Sequence, residues 1–161
     1  MIRFATPDDA EIVHALIGAL ADYEKLAHEV VGTVSDVRRS LENREAEALL
    51  AFHDGEPAGF ALFFHNYSTF LARRGIYLED LFVKPALRGK GIGKALFVEL
   101  ARIAVERKCG RLEWAVLDWN EPALGFYEKL GARVMTEWRI HRLAGPRLDA
   151  LARATESARK P

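Results

Sequence analysis

A run of glycines flanked by basic side chains is the segment of this sequence best suited to chemistry. The run is Arg88–Lys94, and it lies between an apolar stretch and the start of a long helical pattern. Backbone N–H groups of a glycine-rich loop at a helix N-terminus converge on an anion, and the helix dipole adds to the attraction. The segment therefore predicts a site for a phosphate-bearing ligand. A glycine-rich turn with solvated charges is the alternative.

The spacing of these glycines excludes two common phosphate-binding loops. A P-loop needs a glycine where Arg88 stands and a hydroxyl where Ala95 stands. A dinucleotide fingerprint that starts at Gly89 needs a further glycine at the position of Lys94. The sequence thus argues against a nucleoside triphosphatase and against a nicotinamide-dependent dehydrogenase.

Two adjacent carboxylates, Glu79 and Asp80, interrupt an apolar run that predicts a central strand over Ile76–Val83. Burying a carboxylate costs free energy unless a partner compensates for it. Because adjacent strand residues point to opposite faces, one partner is not expected to serve both. A cationic substrate on one face would explain at least one of them, and an ion pair with an arginine is the alternative. Glu24, Glu113 and Asp118 are weaker candidates for the same role.

The charge balance and the residue counts argue against several other classes of protein. Lys plus Arg and Asp plus Glu both number 23, which disfavours a dedicated nucleic-acid binder. The single cysteine, Cys109, allows no intramolecular disulfide, and the histidines show no metal-binding spacing. No apolar run approaches the ~18 residues of a membrane span, and the N-terminal residues do not resemble a signal peptide. We therefore expect a cytoplasmic protein that uses no metal and has neither a nucleic-acid nor a membrane partner.

Periodicity and turn signals predict the elements that position these residues. A first strand is expected over Ile2–Ala5, and Thr6 and Pro7 mark the start of a helix that extends to about Tyr23. A second helix begins near Ser35. The other predicted elements are hairpin strands over Ala48–His53 and Ala58–His65, a loop over Asn66–Gly75, the strand Ile76–Val83, a helix over Gly91–Lys108, a strand over Leu112–Leu117, a short helix from Asn120 to Gly131, strands near Arg133–Met135 and Trp138–Leu143, and a weak terminal helix after Ala144.

This order of elements predicts an α+β fold with a mixed sheet. Strands and helices alternate too irregularly for a doubly wound parallel sheet. We expect a central, mostly antiparallel sheet flanked by helices. We also expect a single domain over residues 1–161, with a core over 1–143 and a C-terminal tail over 144–161. The length agrees, because domains cluster at about 100–150 residues.

Two motifs resemble the hallmarks of one enzyme superfamily. Arg88, Gly91 and Gly93 form an R-x-x-G-x-G pattern that resembles the pyrophosphate loop of the GNAT acetyltransferases, which bind acetyl-CoA. Downstream, the segment from Asn120 to Gly131 is similar to the second GNAT motif. In the family, the asparagine and the helix start bind the pantetheine arm, and the tyrosine that matches Tyr127 faces the sulfur as a general acid. The resemblance implies the GNAT fold and acetyl-CoA as the acetyl donor.

The likeness narrows to one branch of the superfamily. Tyr77–Val83, Arg88–Gly93 and Trp119–Pro122 are similar to the spermidine/spermine (diamine) acetyltransferases and their thialysine-acetylating relatives. Tyr23 and Glu24 look like the branch's substrate-contacting pair. Residues 132–138 and the tail beyond residue 145 match poorly. The resemblance implies a small-molecule amine as substrate and a homodimer as the assembly.

The resemblance and the residue chemistry together assign three groups of site residues. The catalytic residues are Glu79 and Tyr127. The residues expected to bind acetyl-CoA are Leu81, Phe82, Val83, Arg88, Gly89, Lys90, Gly91, Ile92, Gly93, Lys94, Asn120, Glu121, Pro122 and Ala123. Those expected to contact the amine are Tyr23, Glu24, Glu79, Asp80, Glu113 and Trp114.

The expected reaction is direct attack of an amine on the thioester in a ternary complex. An alkylammonium has a pKa of about 10.4, so a carboxylate such as Glu79 must accept a proton, directly or through water. Backbone N–H groups near Leu81–Val83 would hold the carbonyl oxygen, and Tyr127 would protonate the departing thiolate. The sequence leaves open whether Glu79 or Asp80 accepts the proton. It also leaves open an acetyltransferase for protein amines and a non-catalytic acyl-CoA-binding module.

Overall fold

The computed structural model describes residues 1–157 and divides the chain into two compact units. The first unit covers Met1–Ala115, and the second begins at Val116. Five strands and three of the α-helices of the described residues lie in the first unit. The expectation of a single domain over 1–161 stays a prediction.

The helices of the first unit begin where the capping residues predict. Helix α1 spans Ala10–Glu24, after a short 3-10 turn in which Thr6 and Asp9 form a capping box around Pro7. Helix α2 spans Val34–Glu42, and the Thr33 hydroxyl accepts a hydrogen bond from the Asp36 N–H. Helix α3 spans Ile92–Glu106. The three predicted helices are therefore confirmed, and most of their predicted ends lie within one or two residues of the observed ends.

A five-stranded sheet forms the centre of the first unit. Its strands are β1 over Ile2–Phe4, β2 over Glu47–His53, β3 over Glu56–Ser68, β4 over Arg73–Val83 and β5 over Leu112–Trp114. The spatial order follows the chain order, with β1 to β4 antiparallel and β5 parallel to β4. The predicted mixed, mostly antiparallel sheet is confirmed.

The loop predicted over Asn66–Gly75 is wrong for most of its length. Strand β3 continues to Ser68 and β4 begins at Arg73, so only residues 69–72 turn the chain. The polar side chains in this stretch belong to strand ends rather than to a loop. Tyr67 is exposed and the neighbouring Ser68 is buried, as the alternation of a half-buried strand requires. The polar residues of this stretch therefore indicate exposed side chains and not an irregular backbone.

Helices cover both faces of this sheet. Helices α1 and α2 pack on one face, against a cluster of buried and partly buried residues that includes Val13, Leu16, Leu50, Phe60 and Phe82. Leu49 and Ala51 alternate with Leu50 and point to the opposite face, where α3 contacts β2, β3 and β4. The mixed sheet with flanking helices confirms the predicted fold class.

Among the described residues of the second unit there are two helices, α4 over Glu121–Lys129 and α5 over Pro146–Ser157. Both were expected. The strands predicted near Arg133–Met135 and Trp138–Leu143 are absent from the described residues, and β5 ends at Trp114 rather than Leu117. A strand forms only where a neighbouring strand accepts and donates its hydrogen bonds. Alternating apolar residues predict an extended chain, but they do not show whether such a neighbour is present.

Candidate functional site

Two residues of the glycine loop adopt a backbone conformation that favours glycine. Gly89 and Gly91 have φ of 77° and 80°, in the left-handed region, and Gly91 is the residue that caps the start of α3. A Cβ added at either position would meet no atom within 4 Å. The two glycines are therefore needed for their conformation, and the space beside the loop is open to a ligand.

Donors for an anion come from the first turn of α3. The first N–H groups of an α-helix have no acceptor within the helix, and the chain here enters α3 directly from Gly91. A Cβ on Gly93 would lie 3.7 Å from Cγ2 of Val83, an ordinary contact, so this glycine is not fixed by close packing. The loop and helix start fit a pyrophosphate.

The basic side chains of the loop differ in what they contact. Arg88 donates from Nε to the carbonyl oxygen of Val83 at 3.1 Å. Its guanidinium lies 4.2 Å from the centroid of the Tyr23 ring and 5.9 Å from that of Phe82. Lys90 Nζ lies 3.1 Å from Nε2 of His53, and the Lys94 side chain is exposed. Arg88 is thus directed towards α1 and the end of β4.

Strand β4 loses its second neighbour halfway along its length. Its parallel pairing with β5 runs from Ile76 opposite Leu112 to Leu78 opposite Trp114, and no further pair follows within the described residues. The residues Asp80–Val83 pair only with β3, and Glu79 pairs with neither neighbouring strand. This leaves backbone groups on one edge of β4 for a ligand that runs along the strand.

A β-bulge lies at the catalytic candidate Glu79. Leu62 pairs with Asp80 and Phe63 with Leu78, so Glu79 is the extra residue on β4. Separate partners were expected for Glu79 and Asp80 because adjacent strand residues point to opposite faces. The bulge interrupts that alternation of side chains. Their charges interact across it.

Three carboxylates form what we call the acidic site, which consists of Glu24, Glu79 and Asp80. Glu79 is exposed and Asp80 is partly buried. Burial, together with the charges of Glu79 and Glu24, raises the pKa of Asp80 to about 6. Burial also raises the pKa of Glu24. The fold thus holds acidic groups together against desolvation and mutual repulsion, as functional sites often do.

The two other predicted amine contacts lie on β5 and have protein partners. The Glu113 carboxylate accepts hydrogen bonds from Nδ2 of Asn66 at 2.9 Å and pairs with Nε of Arg111 at 2.8 Å. Trp114 packs edge-on against Phe97, with ring centroids 5.0 Å apart. A structural role accounts for these contacts, and amine contact at either residue stays a prediction.

The second unit holds the remaining predicted site residues on one short helix. Asn120 caps α4, and its side chain accepts a hydrogen bond from the Ala123 N–H at 3.4 Å. Glu121 and Pro122 form the first turn. Tyr127 lies one turn further and packs against Phe126 with ring centroids 5.1 Å apart. Burial raises the pKa of Tyr127 to about 12, which keeps its hydroxyl protonated at neutral pH.

The described part of the chain, residues 1–157, has neither a metal-ligand cluster nor a membrane-spanning helix. No group of three or more His, Cys, Asp or Glu side chains there is arranged to hold a metal ion. In the same residues, no helix combines the length and apolar character that crossing a bilayer requires.

Comparison with known proteins identifies the class to which this arrangement belongs. Residues 17–132 match the acetyltransferase (GNAT) family. An L-ornithine N5-acetyltransferase of Arabidopsis thaliana is 36% identical over 197 residues, which cover 93% of this chain and 86% of the relative. A thialysine N-epsilon-acetyltransferase of Bos taurus is 38% identical over 167 residues, with 94% and 96% covered. An integron cassette protein from the mobile metagenome of V. cholerae has a TM-score of 0.79 at 26% identity, covering 94% of this chain and 96% of that one.

The chain belongs to the acetyltransferase (GNAT) family, since the family match covers most of its length. It is an acetyltransferase, and its relatives of 36% and 38% identity are N-acetyltransferases. The resemblance inferred from the Arg88 and Asn120 motifs is therefore confirmed.

Sequence reasoning missed two features of the site. The bulge at Glu79 has no signal in the sequence, because neither glycine nor proline marks it. The stacking of Arg88 on Tyr23 joins residues far apart in the chain, and only the fold brings them together.

Proposed function

We propose that this protein transfers the acetyl group of acetyl-CoA to the side-chain amine of a small lysine-like amino acid, or of a diamine or polyamine. The observation that carries the proposal is the acidic site, Glu24, Glu79 and Asp80, of which two residues lie on β4, the strand that leads into the glycine loop. A cationic amine would relieve the repulsion among these carboxylates. The relatives that acetylate ornithine and thialysine, both primary-amine substrates, support the same substrate class.

The residues present fit acetyl-CoA, which supplies an activated acetyl thioester. The open space beside Gly89 and Gly91 and the first turn of α3 fit its pyrophosphate. The unpaired edge of β4, with Leu81, Phe82 and Val83, fits its extended arm. The family resemblance alone leads us to assign Asn120, Glu121, Pro122 and Ala123, which belong to the second unit, to the same ligand. Lys90, Ile92, Gly93 and Lys94 complete the set.

Removal of a proton from the substrate is assigned to the acidic site. An alkylammonium with a pKa of about 10.4 carries no free electron pair at neutral pH. A base works best when its pKa lies near the working pH, and that of Asp80 is raised towards it. Asp80 is therefore a proton acceptor at least as suitable as Glu79, and the exposed Glu79 would bind the ammonium group or relay the proton through water.

Tyr127 is assigned to the other end of the reaction. Its hydroxyl is protonated at neutral pH and is the donor we propose for the departing thiolate. Backbone N–H groups of Leu81–Val83 would stabilise the charge that develops on the carbonyl oxygen. We further propose a cytoplasmic homodimer without a metal cofactor, on the strength of the family resemblance.

The test is a panel of amines with acetyl-CoA in metal-free buffer. We expect ornithine, thialysine and a polyamine such as spermidine to release coenzyme A at different rates, and acetyl-CoA alone to raise the melting temperature. A ligand at about 100 times its Kd stabilises a protein by about 2.7 kcal/mol. ATP and NAD at equal concentration are the controls.

Two results would contradict the proposal. A shift with ATP or NAD and none with acetyl-CoA would exclude the assigned cofactor. Acetyl-CoA binding without turnover on any free amine, but with turnover on peptide amines, would exclude the assigned substrate class.

A further inference from the structure

We propose that Arg88 is a positioning residue for the amine substrate, which holds Tyr23 and the end of α1 against the acidic site rather than binding the phosphates of the donor. The inference rests on the proposed function, because it assigns one residue's part in amine binding. Its evidence is the set of contacts that Arg88 makes within the first unit.

The orientation of the Arg88 guanidinium is fixed in two directions. Its Nε donates to the Val83 carbonyl at the end of β4, which sets the plane of the group. The central carbon of the group, Cζ, lies over the Tyr23 ring, 4.2 Å from its centroid and within cation–π range. Arg88 thus connects the end of a strand to the end of a helix.

Tyr23 transmits this contact to the acidic site. It lies in the last turn of α1, packs against the core cluster and immediately precedes Glu24. The helix ends at the next residue, Lys25, which adopts the left-handed conformation. Since the Glu24 charge acts on Asp80, the position of this helix end affects the acidic site directly.

A lysine could not reproduce these contacts. The ammonium group of lysine is a point charge, whereas arginine presents a planar group that stacks and donates in its own plane. A phosphate contact would tolerate this exchange better, because lysine is itself a common phosphate ligand. The Arg88→Lys variant therefore separates the two roles.

The experiment combines Arg88→Lys with two changes at Tyr23. Tyr23→Phe keeps the aromatic ring under the guanidinium, and Tyr23→Leu removes it. For the amine that the wild type uses best, we expect Arg88→Lys to raise KM about tenfold with kcat little changed, as loss of a binding contact does. We expect the same ratio in the Tyr23→Phe background, and a ratio below about twofold in the Tyr23→Leu background, because coupled residues are not additive.

Binding of the donor is the second readout. We expect the Kd for acetyl-CoA, measured by calorimetry, to stay within about threefold of wild type in every variant, since the loop amides remain. Melting temperatures without ligand show that each variant is folded. A variant that fails to fold at Arg88→Lys would contradict the inference, which requires a selective effect on the amine.

Other outcomes also decide the matter. A rise in the Kd for acetyl-CoA that is the same in the Tyr23→Leu background, with an unchanged amine KM, would show that Arg88 is a phosphate ligand. An inactive wild type would overturn the proposed function and this inference together, whereas an active wild type with no coupling between Arg88 and Tyr23 would overturn this inference alone.

Discussion

At the scale of single residues, Asp80 shows how burial and neighbouring charges act on one carboxylate. Burial and the neighbouring carboxylates of Glu24 and Glu79 all act in one direction on this group and raise its pKa to about 6. The native state therefore favours the protonated form. The stability linked to Asp80 is present below its ordinary pKa of 3.8 and is lost as the pH rises through about 6.

Replacing Asp80 should stabilise the protein at neutral pH and impair its chemistry. We expect Asp80→Asn to raise the free energy of unfolding at pH 8 by about 1–3 kcal/mol, from a shift of roughly two pKa units, and to lower turnover. Denaturation in urea at pH 8 and at about pH 4 measures the effect, which should almost vanish at the lower pH. Glu56→Gln, at the exposed start of β3, is the control and should change stability by less than about 0.5 kcal/mol. An equal effect of Asp80→Asn at both pH values would exclude the raised pKa as its cause.

Tyr127 is the second residue whose hydroxyl can be tested alone. We expect Tyr127→Phe to lower kcat by about 10²–10⁴-fold, the usual contribution of a general acid. The Kd for acetyl-CoA should change little, because the lost hydroxyl acts on charge that develops as the sulfur leaves. Tyr67→Phe, at an exposed tyrosine of β3, is the matched control in steady-state kinetics. Turnover near that of the wild type in Tyr127→Phe would make this tyrosine a packing residue.

At the scale of elements, the loop before α3 depends on a backbone conformation that only glycine adopts easily. Gly91 has φ of 80°, whereas Gly18 lies in the middle of α1, and a Cβ added at either meets nothing within 4 Å. The two positions therefore differ in conformation and not in available space.

The pair Gly91→Ala and Gly18→Ala tests that difference. We expect Gly91→Ala to cost about 1–2 kcal/mol and to weaken acetyl-CoA binding, because an L residue disfavours the left-handed region. Gly18→Ala should stabilise the protein by about 0.5–1 kcal/mol and leave acetyl-CoA affinity unchanged, since alanine suits a helix interior. Denaturation and calorimetry on both variants give the comparison. Destabilisation of similar size in both would mean that steric room, not φ, governs the loop.

The elements themselves were largely predictable, for reasons that are local. The capping residues Thr6 and Pro7 and the glycines before α3 carry their signals within a few residues of the boundary they mark. The long hairpin of β3 and β4 was predicted too short, because its polar ends resemble a loop until the pairing partner is known. The bulge at Glu79 depends on the register between β3 and β4, so the sequence of β4 alone does not predict it.

At the scale of the whole molecule, the sequence predicted the family and the fold class better than the contacts between distant residues. The motifs around Arg88 and Asn120 named the family correctly, and the acidic residues pointed to a cationic substrate. The contact of Arg88 with Tyr23 could not be predicted from the motif, because Tyr23 lies on a different element. The prediction of strands beyond residue 132 was wrong, because the alternation of apolar and polar residues does not show which strand would pair with them.

Strand β4 carries the bulge, two residues of the acidic site and the edge proposed for the cofactor, which limits how this strand can change in evolution. The bulge at Glu79 sets the register of every residue from Asp80 to Val83, so a deletion or insertion in β4 would move the carboxylates and the backbone that we propose for the cofactor together. The connection between α1 and α2, residues 25–33, is mostly exposed and follows Glu24 directly. Evolution and engineering alike have more freedom there, because surface connections accept changes in length and side chain that a shared strand does not. New amine preferences should therefore arise from the segment that borders the acidic site while the strand beneath it stays unchanged.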